Sequence, residues 1–389
     1  MLGVGGIGYA VGPGEYAPPR PWENLLLPAG LARPTDGRYR LKLSEPMEEA
    51  LYLDSARLRA YDLPPGWQLV LDERMGILGP QPSGEPRYYR RALLPARAVN
   101  ERGEDVTTAV LAADGKAAPV GELDHRFIGR LKGRHLLELQ FDRPLDAVPG
   151  SPMLVIDGWV EYPYSQTGFA AWQAKASFDA PTLEVRGADG SWQPLLEQFG
   201  YPAGMPRRMT VPLPTLPAGI RALRLNTNME VYWDRVAVAW SEPLPEADSR
   251  LLPLTNARVA KTGFARRITH DQRRPEYDYA RRSPFWDARY MPGNYTNLGP
   301  ARELVAGTDN ALAIIGAGEE IHLEFAAELP PLPAGWSRRL VLETNGWAKD
   351  MDLFTKDGET LGPLPFTGEP EEQVSRLHRH YNQRYQAGR

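Results

Sequence analysis

A chain of 389 residues is longer than one hydrophobic core usually serves, so two or three domains are expected, with ample surface to bury without staples. Cysteine is absent, which excludes a disulfide scaffold, a zinc ribbon, an iron–sulfur site and covalent haem attachment. A formal net charge of -4 argues against a general nucleic-acid binder, which needs a basic surface to neutralise phosphates.

The first 20 residues form a glycine- and proline-rich arm. Gly3-Val4-Gly5-Gly6-Ile7-Gly8 matches G-x-G-x-x-G, but that fingerprint works only between a strand and a helix. Only Met1 and Leu2 precede it, and Gly12-Pro13-Gly14 and Pro18-Pro19 follow, so it predicts no cofactor loop. No basic and apolar leader is legible here, and no apolar run approaches the ~20 residues that span a bilayer.

Residues 21–120 read as a β-rich N-terminal domain. Tyr39, Leu41 and Leu43 alternate with Arg38, Arg40 and Lys42 after an Asp36-Gly37 turn, the period of a half-buried strand. Leu51, Leu53 and Val70 sit in further short runs broken by Pro64-Pro65-Gly66. Met47 to Leu51 reads as one helical turn or a strand, and Asp105 to Leu111 as a short helix or a strand.

Residues 121–245 read as a Trp-rich sandwich. Leu183 and Val185, then Leu223 and Leu225, alternate with polar neighbours, and Asp189-Gly190 marks a hairpin turn. Leu139-Gln140-Phe141, Val148-Pro149-Gly150, Leu154-Val155-Ile156 and Gly158-Trp159 are echoed by Leu323-Glu324-Phe325, Leu332-Pro333-Ala334-Gly335, Leu340-Val341-Leu342 and Gly346-Trp347. The echo points either to two related sandwich modules or to one corner solution reached twice, and the repeated order of elements favours the first. Residues 301–366 would then supply strands of the second, possibly completed by the N-terminal domain.

Residues 246–300 read as a connecting loop rich in Arg and aromatic residues. Arg273, Arg274, Arg281 and Arg282 are interleaved with Tyr277, Tyr279, Trp286 and Tyr290, with no clear period. Guanidinium forks beside aromatic faces suit acidic, phosphate-bearing or sugar partners. The structural alternative is a loop that braces two domains. Residues 367–389 open with Glu369-Pro370-Glu371-Glu372 and carry Val374, Leu377, Tyr381 and Tyr385 at helical spacing, an amphipathic helix that must cover something.

Asp157 to Trp172, Tyr201 to Arg207, Thr227 to Arg235, Gly316 to Phe325, Gly346 to Asp352 and Pro363-Leu364-Pro365-Phe366 together resemble the region that follows the FG-GAP repeats and the ASPIC/UnbV segment in large bacterial proteins. The resemblance covers most of residues 20 to 366, without the propeller and its calcium loops. It implies a place at the cell envelope or outside the cell, and a binding or assembly role, since that region carries no assigned catalytic residues.

The expectation is therefore an all-β protein of two or more antiparallel β-sandwich domains, jelly-roll or galactose-binding-like, with a short C-terminal helix. It would act without catalysis, presenting aromatic and Arg-rich surfaces to a protein partner or a glycan. Candidate binding residues are Trp159, Tyr162, Tyr164, Trp233, Arg273, Arg274, Arg281, Arg282, Trp286 and Tyr290. Asp350 and Asp352, with Asn345, offer oxygens suited to Ca²⁺; the alternative is carboxylates paired with Lys349 or Lys356. No other cofactor is expected. The rival readings are a carbohydrate-active enzyme using pairs among Asp157, Glu161, Glu230 and Asp234, and a structural subunit of a larger envelope complex.

Overall fold

The computed structural model describes residues 22–29, 31, 36–76, 81–244, 248–283, 289–351, 355, 357–365 and 370–388. The glycine-rich arm, Trp286, Asp352 and Lys356 lie outside them. With 48% of the described residues in strand and 9% in helix, the fold is all-β and antiparallel.

In chain order, β1 (Trp22–Leu26), β2 (Arg38–Glu45) and β3 (Glu49–Leu63) are followed by a hairpin of β4 (Gln68–Leu71) and β5 (Pro86–Tyr89). Then come β6 (Ala92–Leu93), β7 (Arg97–Asn100), β8 (Arg130–Gln140), β9 (Ser151–Val160), helix α1 (Ser165–Gln173), β10 (Thr182–Arg186), β11 (Trp192–Leu196), β12 (Arg207–Pro212), β13 (Ala222–Met229) and β14 (Val231–Ser241). The chain returns through β15 (Asp248–Leu252), β16 (Leu254–Lys261), a hairpin of β17 (Phe264–Thr269) and β18 (Pro275–Ser283), then β19 (Gly293–Tyr295) and β20 (Gly299–Pro300). It closes with α2 (Arg302–Val305), β21 (Ala313–Ile315), β22 (Glu319–Ala326), β23 (Ser337–Asp350), α3 (Glu372–Tyr381) and β24 (Arg384–Gln386).

These strands make two sandwiches, one inserted in the other. The inner sandwich, from β6 to β14, pairs a sheet of order β11-β10-β13-β8-β7 with one of order β12-β9-β14-β6. Its core holds Leu137, Leu139, Ile156, Leu183, Leu223 and Trp233, so the period-2 runs in the sequence do mark inward faces. The outer sandwich pairs β1-β23-β3-β15, with β21 also on β3, against β2-β22-β16-β20. Residues 21–120 are therefore not a domain of their own: β1 to β3 build the outer sandwich, while β6 and β7 belong to the inner one. Residues 246–300 are not a loop either. They hold six strands, and the period is hidden because the β17–β18 pair is half-exposed on both faces and bulged between Ala265 and Arg266. Met47 to Leu51 lead into β3 rather than a helix, and Asp105 to Leu111 contain one 3-10 turn at Thr107–Val110.

The echoed segments occupy matching places. β8 and β9 pair with β13 and β14, and β22 and β23 pair with β2 and β3 in the same crosswise way. In each module an unpaired aspartate bulges out beside the Gly-Trp corner: Asp234 next to Trp233, which pairs with Gly158, and Asp54 next to Leu53, which pairs with Gly346. Each accepts two successive backbone N–H groups, Asp234 from Asp114 and Gly115 and Asp54 from Asp309 and Asn310. At both corners a Cβ on the glycine would strike a carbonyl, of Tyr232 or Tyr52. The modules are thus the same device in permuted chain order, with β2 and β3 standing before the partners that β13 and β14 follow.

The β4–β5 hairpin is mortar between the sandwiches. Leu69 and Leu71 pack on Tyr61 and Val341 of the outer one, and Val70 and Tyr89 pack on Met153 and Val155 of the inner one. Helix α3 docks on its own sandwich through Val374 and Leu377, and the chain continues into β24, paired with β19.

Candidate functional site

A cavity of about 570 Å³ opens at the end of the outer sandwich where it meets the inner one. Its volume lies in the range of small-ligand sites, and domain boundaries are where such sites concentrate. Three strands shape its floor by simple alternation. Leu41, Leu43 and Glu45 share one face of β2; Leu53, Leu51 and Glu49 share one face of β3; Leu342, Thr344, Gly346, Ala348 and Asp350 share one face of β23. Each row begins among leucines in the core and ends on a carboxylate. Because the β23 row shrinks from Leu to Thr, Gly and Ala, the sheets do not fill the space between them, and Leu41 and Leu51 stay only partly buried.

The opposite wall comes from elsewhere. Tyr162, Tyr164 and Met205 project from the inner sandwich, and Arg267, Arg273, Tyr277 and Tyr279 from the β17–β18 hairpin. Tyr162 and Tyr164 meet edge to face at 5.4 Å, and Tyr277 and Tyr279 stack at 6.4 Å. The Tyr164 hydroxyl lies 3.7 Å from Met47 Sδ, joining the two walls. Burial and the nearby Glu49 carboxylate push the Tyr164 phenol up.

The hairpin is held in place at its turn. Gln272, with a positive φ of 56°, donates from Nε2 to the Ala117 carbonyl at 2.7 Å and accepts the Ala117 N–H at 2.9 Å. Its own carbonyl accepts the Trp159 indole N–H at 2.8 Å. Arg273 donates to Glu230 at 2.8 Å and sits 3.7 Å from Glu161. Burial pushes the Glu230 carboxyl up, while the Tyr232 hydroxyl, 2.6 Å away, and Arg273 oppose that.

The structure brings Tyr162, Tyr164 and Arg273 together at the cavity, and corrects the other aromatic and Arg expectations. Trp159 and Trp233 are 1% and 0% exposed, so they are core and not platforms: Trp159 stacks on Tyr232 at 5.4 Å beneath the hairpin turn. Arg274 lies at the same turn against Gly115. Arg281 pairs on the surface with Asp278 at 3.5 Å. Arg282 instead bonds the buried Glu320 at 2.5 Å and covers the Tyr279 ring, and the Tyr290 hydroxyl donates to the Ala317 carbonyl at 2.8 Å. These two brace the sandwich edge.

The proposed calcium oxygens do not converge among the described residues. Asn345 and Asp350, five positions apart on β23, face opposite sides of the sheet. Nor do the carboxylate pairs stand free. Asp157 is forked by Arg208 at 2.9 and 3.2 Å with Arg235 at 3.5 Å, and Asp234 caps the 114–115 loop. Sequence reasoning missed Glu45 and Glu49. The signal was present: each continues an apolar alternation by one more inward step.

No family model matches the chain, and no curated protein matches it.

Proposed function

We propose that this chain is a non-catalytic binding protein of the cell envelope, and that it takes a ligand with an apolar body into the cleft between its sandwiches. The single observation behind this reading is the cavity of about 570 Å³, with a leucine floor and a tyrosine wall contributed by separate parts of the chain. Burial of Trp159 and Trp233 removes the sugar platforms, so an apolar-bodied ligand fits better than a glycan. The resemblance to the region after FG-GAP and ASPIC/UnbV segments supports the envelope location and the absence of chemistry. Engagement of Asp157, Glu230 and Asp234 by arginines or backbone amides supports it too.

A second reading, docking to a protein partner, is favoured by Trp172 on α1, which is 66% exposed.

The test is native mass spectrometry of the purified chain together with its Leu51→Trp variant, whose indole occupies the cavity. A small molecule should accompany the wild type and be lost in the variant. Retention in both, or turnover of any polysaccharide in a panel that Asp157→Asn abolishes, would refute the reading.

A further inference from the structure

Three half-buried arginines of the sheets that meet at the β4–β5 hairpin each hold a carboxylate. Arg338 forks Asp62 at 2.6 and 2.7 Å, Arg59 bonds Glu343 at 2.5 Å, and Arg208 forks Asp157 at 2.9 and 3.2 Å. Arg339 departs from this pattern. It is half-buried on β23, its guanidinium bonds the chain once, from Nη2 to the Leu27 carbonyl at a long 3.4 Å, and its Nε is buried with no acceptor. Among the described residues no carboxylate pairs with it.

Arg339 stands where the sandwiches join. Strand β4 lies against both β1, just past which comes the Leu27 carbonyl, and β12, which carries Arg208. Tyr89 of β5 packs there on Met153 and Val155 of β9, the strand that continues to Asp157. Burial holds the Arg339 guanidinium below its ordinary value and the Arg208 charge adds to that, while Tyr89 opposes. The groups that act on its charge are thus a second arginine and a phenol. Asp157 already carries two guanidinium groups, the Arg208 fork and Arg235 at 3.5 Å. A cation buried beside a like charge without an acceptor is costly, and it contributes little to the packing around it.

We infer that the junction is an oxyanion site, in which a phosphate- or carboxylate-type anion takes the spare donors of Arg339 and Arg208 and the Tyr89 hydroxyl, bridging the two sandwiches. Paired guanidinium groups are the donors of choice for such anions, because each offers five N–H groups in a planar fork. Arg208 has spent only Nε and Nη2 on Asp157, and its side chain is 28% exposed, so a face remains open to an anion. The site is independent of the cavity reading: Arg339 lies on the face of β23 opposite Leu342, which lines that cavity.

Thermal unfolding of the full chain, of Arg339→Gln and of Arg339→Lys tests the site, with inorganic phosphate or acetate replacing chloride at constant pH and ionic strength. In chloride Arg339→Gln should melt with the wild type or above it, since it loses an uncompensated cation. As phosphate or acetate is added, the wild-type transition should climb saturably by mass action on the folded state, and that of Arg339→Gln should not. Arg339→Lys, which keeps a cation, should respond in part. Calorimetry should give one site per chain, about tenfold or more weaker in Arg339→Gln and unchanged in Leu51→Trp, and the tighter of the two probes names the anion. An equal rise in the wild type and Arg339→Gln is the general stabilisation given by excluded salts and overturns the site. Calorimetry without saturable heat from either probe overturns it as well.

Discussion

Glu45 and His378 set opposing pH dependences. The Glu45 carboxyl is pushed up to about 7 in the fold by burial first and by the Asp350 charge, against the Met47 N–H that it accepts. A raised folded pKa means that the native state binds the extra proton. The contribution is therefore complete at acid pH and is lost as pH rises through about 7. Glu45→Gln should remove that loss, raising stability at pH 8 by roughly 1 kcal/mol or more while changing little at pH 5, read from urea midpoints at the two pH values. His378 has the other sign. Burial holds its imidazole below the usual range, and Nε2 accepts the Leu312 N–H at 3.1 Å, which requires an unprotonated nitrogen. Its contribution is present above the unfolded pKa and lost as pH falls, so His378→Gln should flatten the acid limb. Glu45 was legible as one more inward step of the β2 alternation, whereas His378 was not: an isolated histidine says nothing about burial until the elements on either side of it are packed.

Among the elements, the β17–β18 hairpin shows how a surface is made rigid by one turn. Among the described residues its strands pair only with each other, so their position over the cavity depends on Gln272, Arg273 and the Trp159 indole at the turn and on the Arg282–Glu320 pair at the other end. Gln272→Ala removes two hydrogen bonds of about 1 kcal/mol each and should leave the core intact. Proteolysis within 264–283 should accelerate severalfold in that variant, with an unchanged global melt; a lowered melt instead would show that the turn is a core element. The strands of the two sandwiches were readable because leucine and valine alternate over one buried face, as at Leu183 and Val185. The hairpin was not, since neither of its faces is buried enough to impose a period. The bulged Asp54 was hidden for another reason: a bulge shifts the alternation by one residue just where the repeat would have revealed it.

The molecule as a whole is held together by a small buried polar seam beside the β4–β5 mortar. Arg74, 3% exposed, donates to the Phe199 carbonyl at 2.7 Å and the Thr210 carbonyl at 3.1 Å, and bonds Asp72. The outer chain thereby grips the inner sandwich through its backbone. Arg74→Ala removes the nearest cation from Asp72, which keeps Arg87 at 3.7 Å and two hydrogen bonds from Ser83, and leaves the Phe199 and Thr210 carbonyls without that donor; it should lower the melting temperature, with the two sandwiches unfolding separately by calorimetry. The echo at Gly158-Trp159 and Gly346-Trp347 falls on matching strand pairs of the two sandwiches. Their boundaries were beyond reach, because the partner of β3 lies at the far end of the sequence and pairing over that distance leaves no local mark.

That permuted arrangement also orders events during synthesis. The inner sandwich is continuous, so everything from Ala92 to Ser241 can leave the ribosome and close at once. Leu63 must wait for Ser337, 337 − 63 = 274 residues later, which at ~5–20 residues per second is roughly 15–55 seconds. Until β22 and β23 emerge, β2 has no partner and β3 has only β15 and then β21 along parts of its length, so a nascent chain of this design depends on a chaperone or on the already folded inner sandwich to shield their free edges.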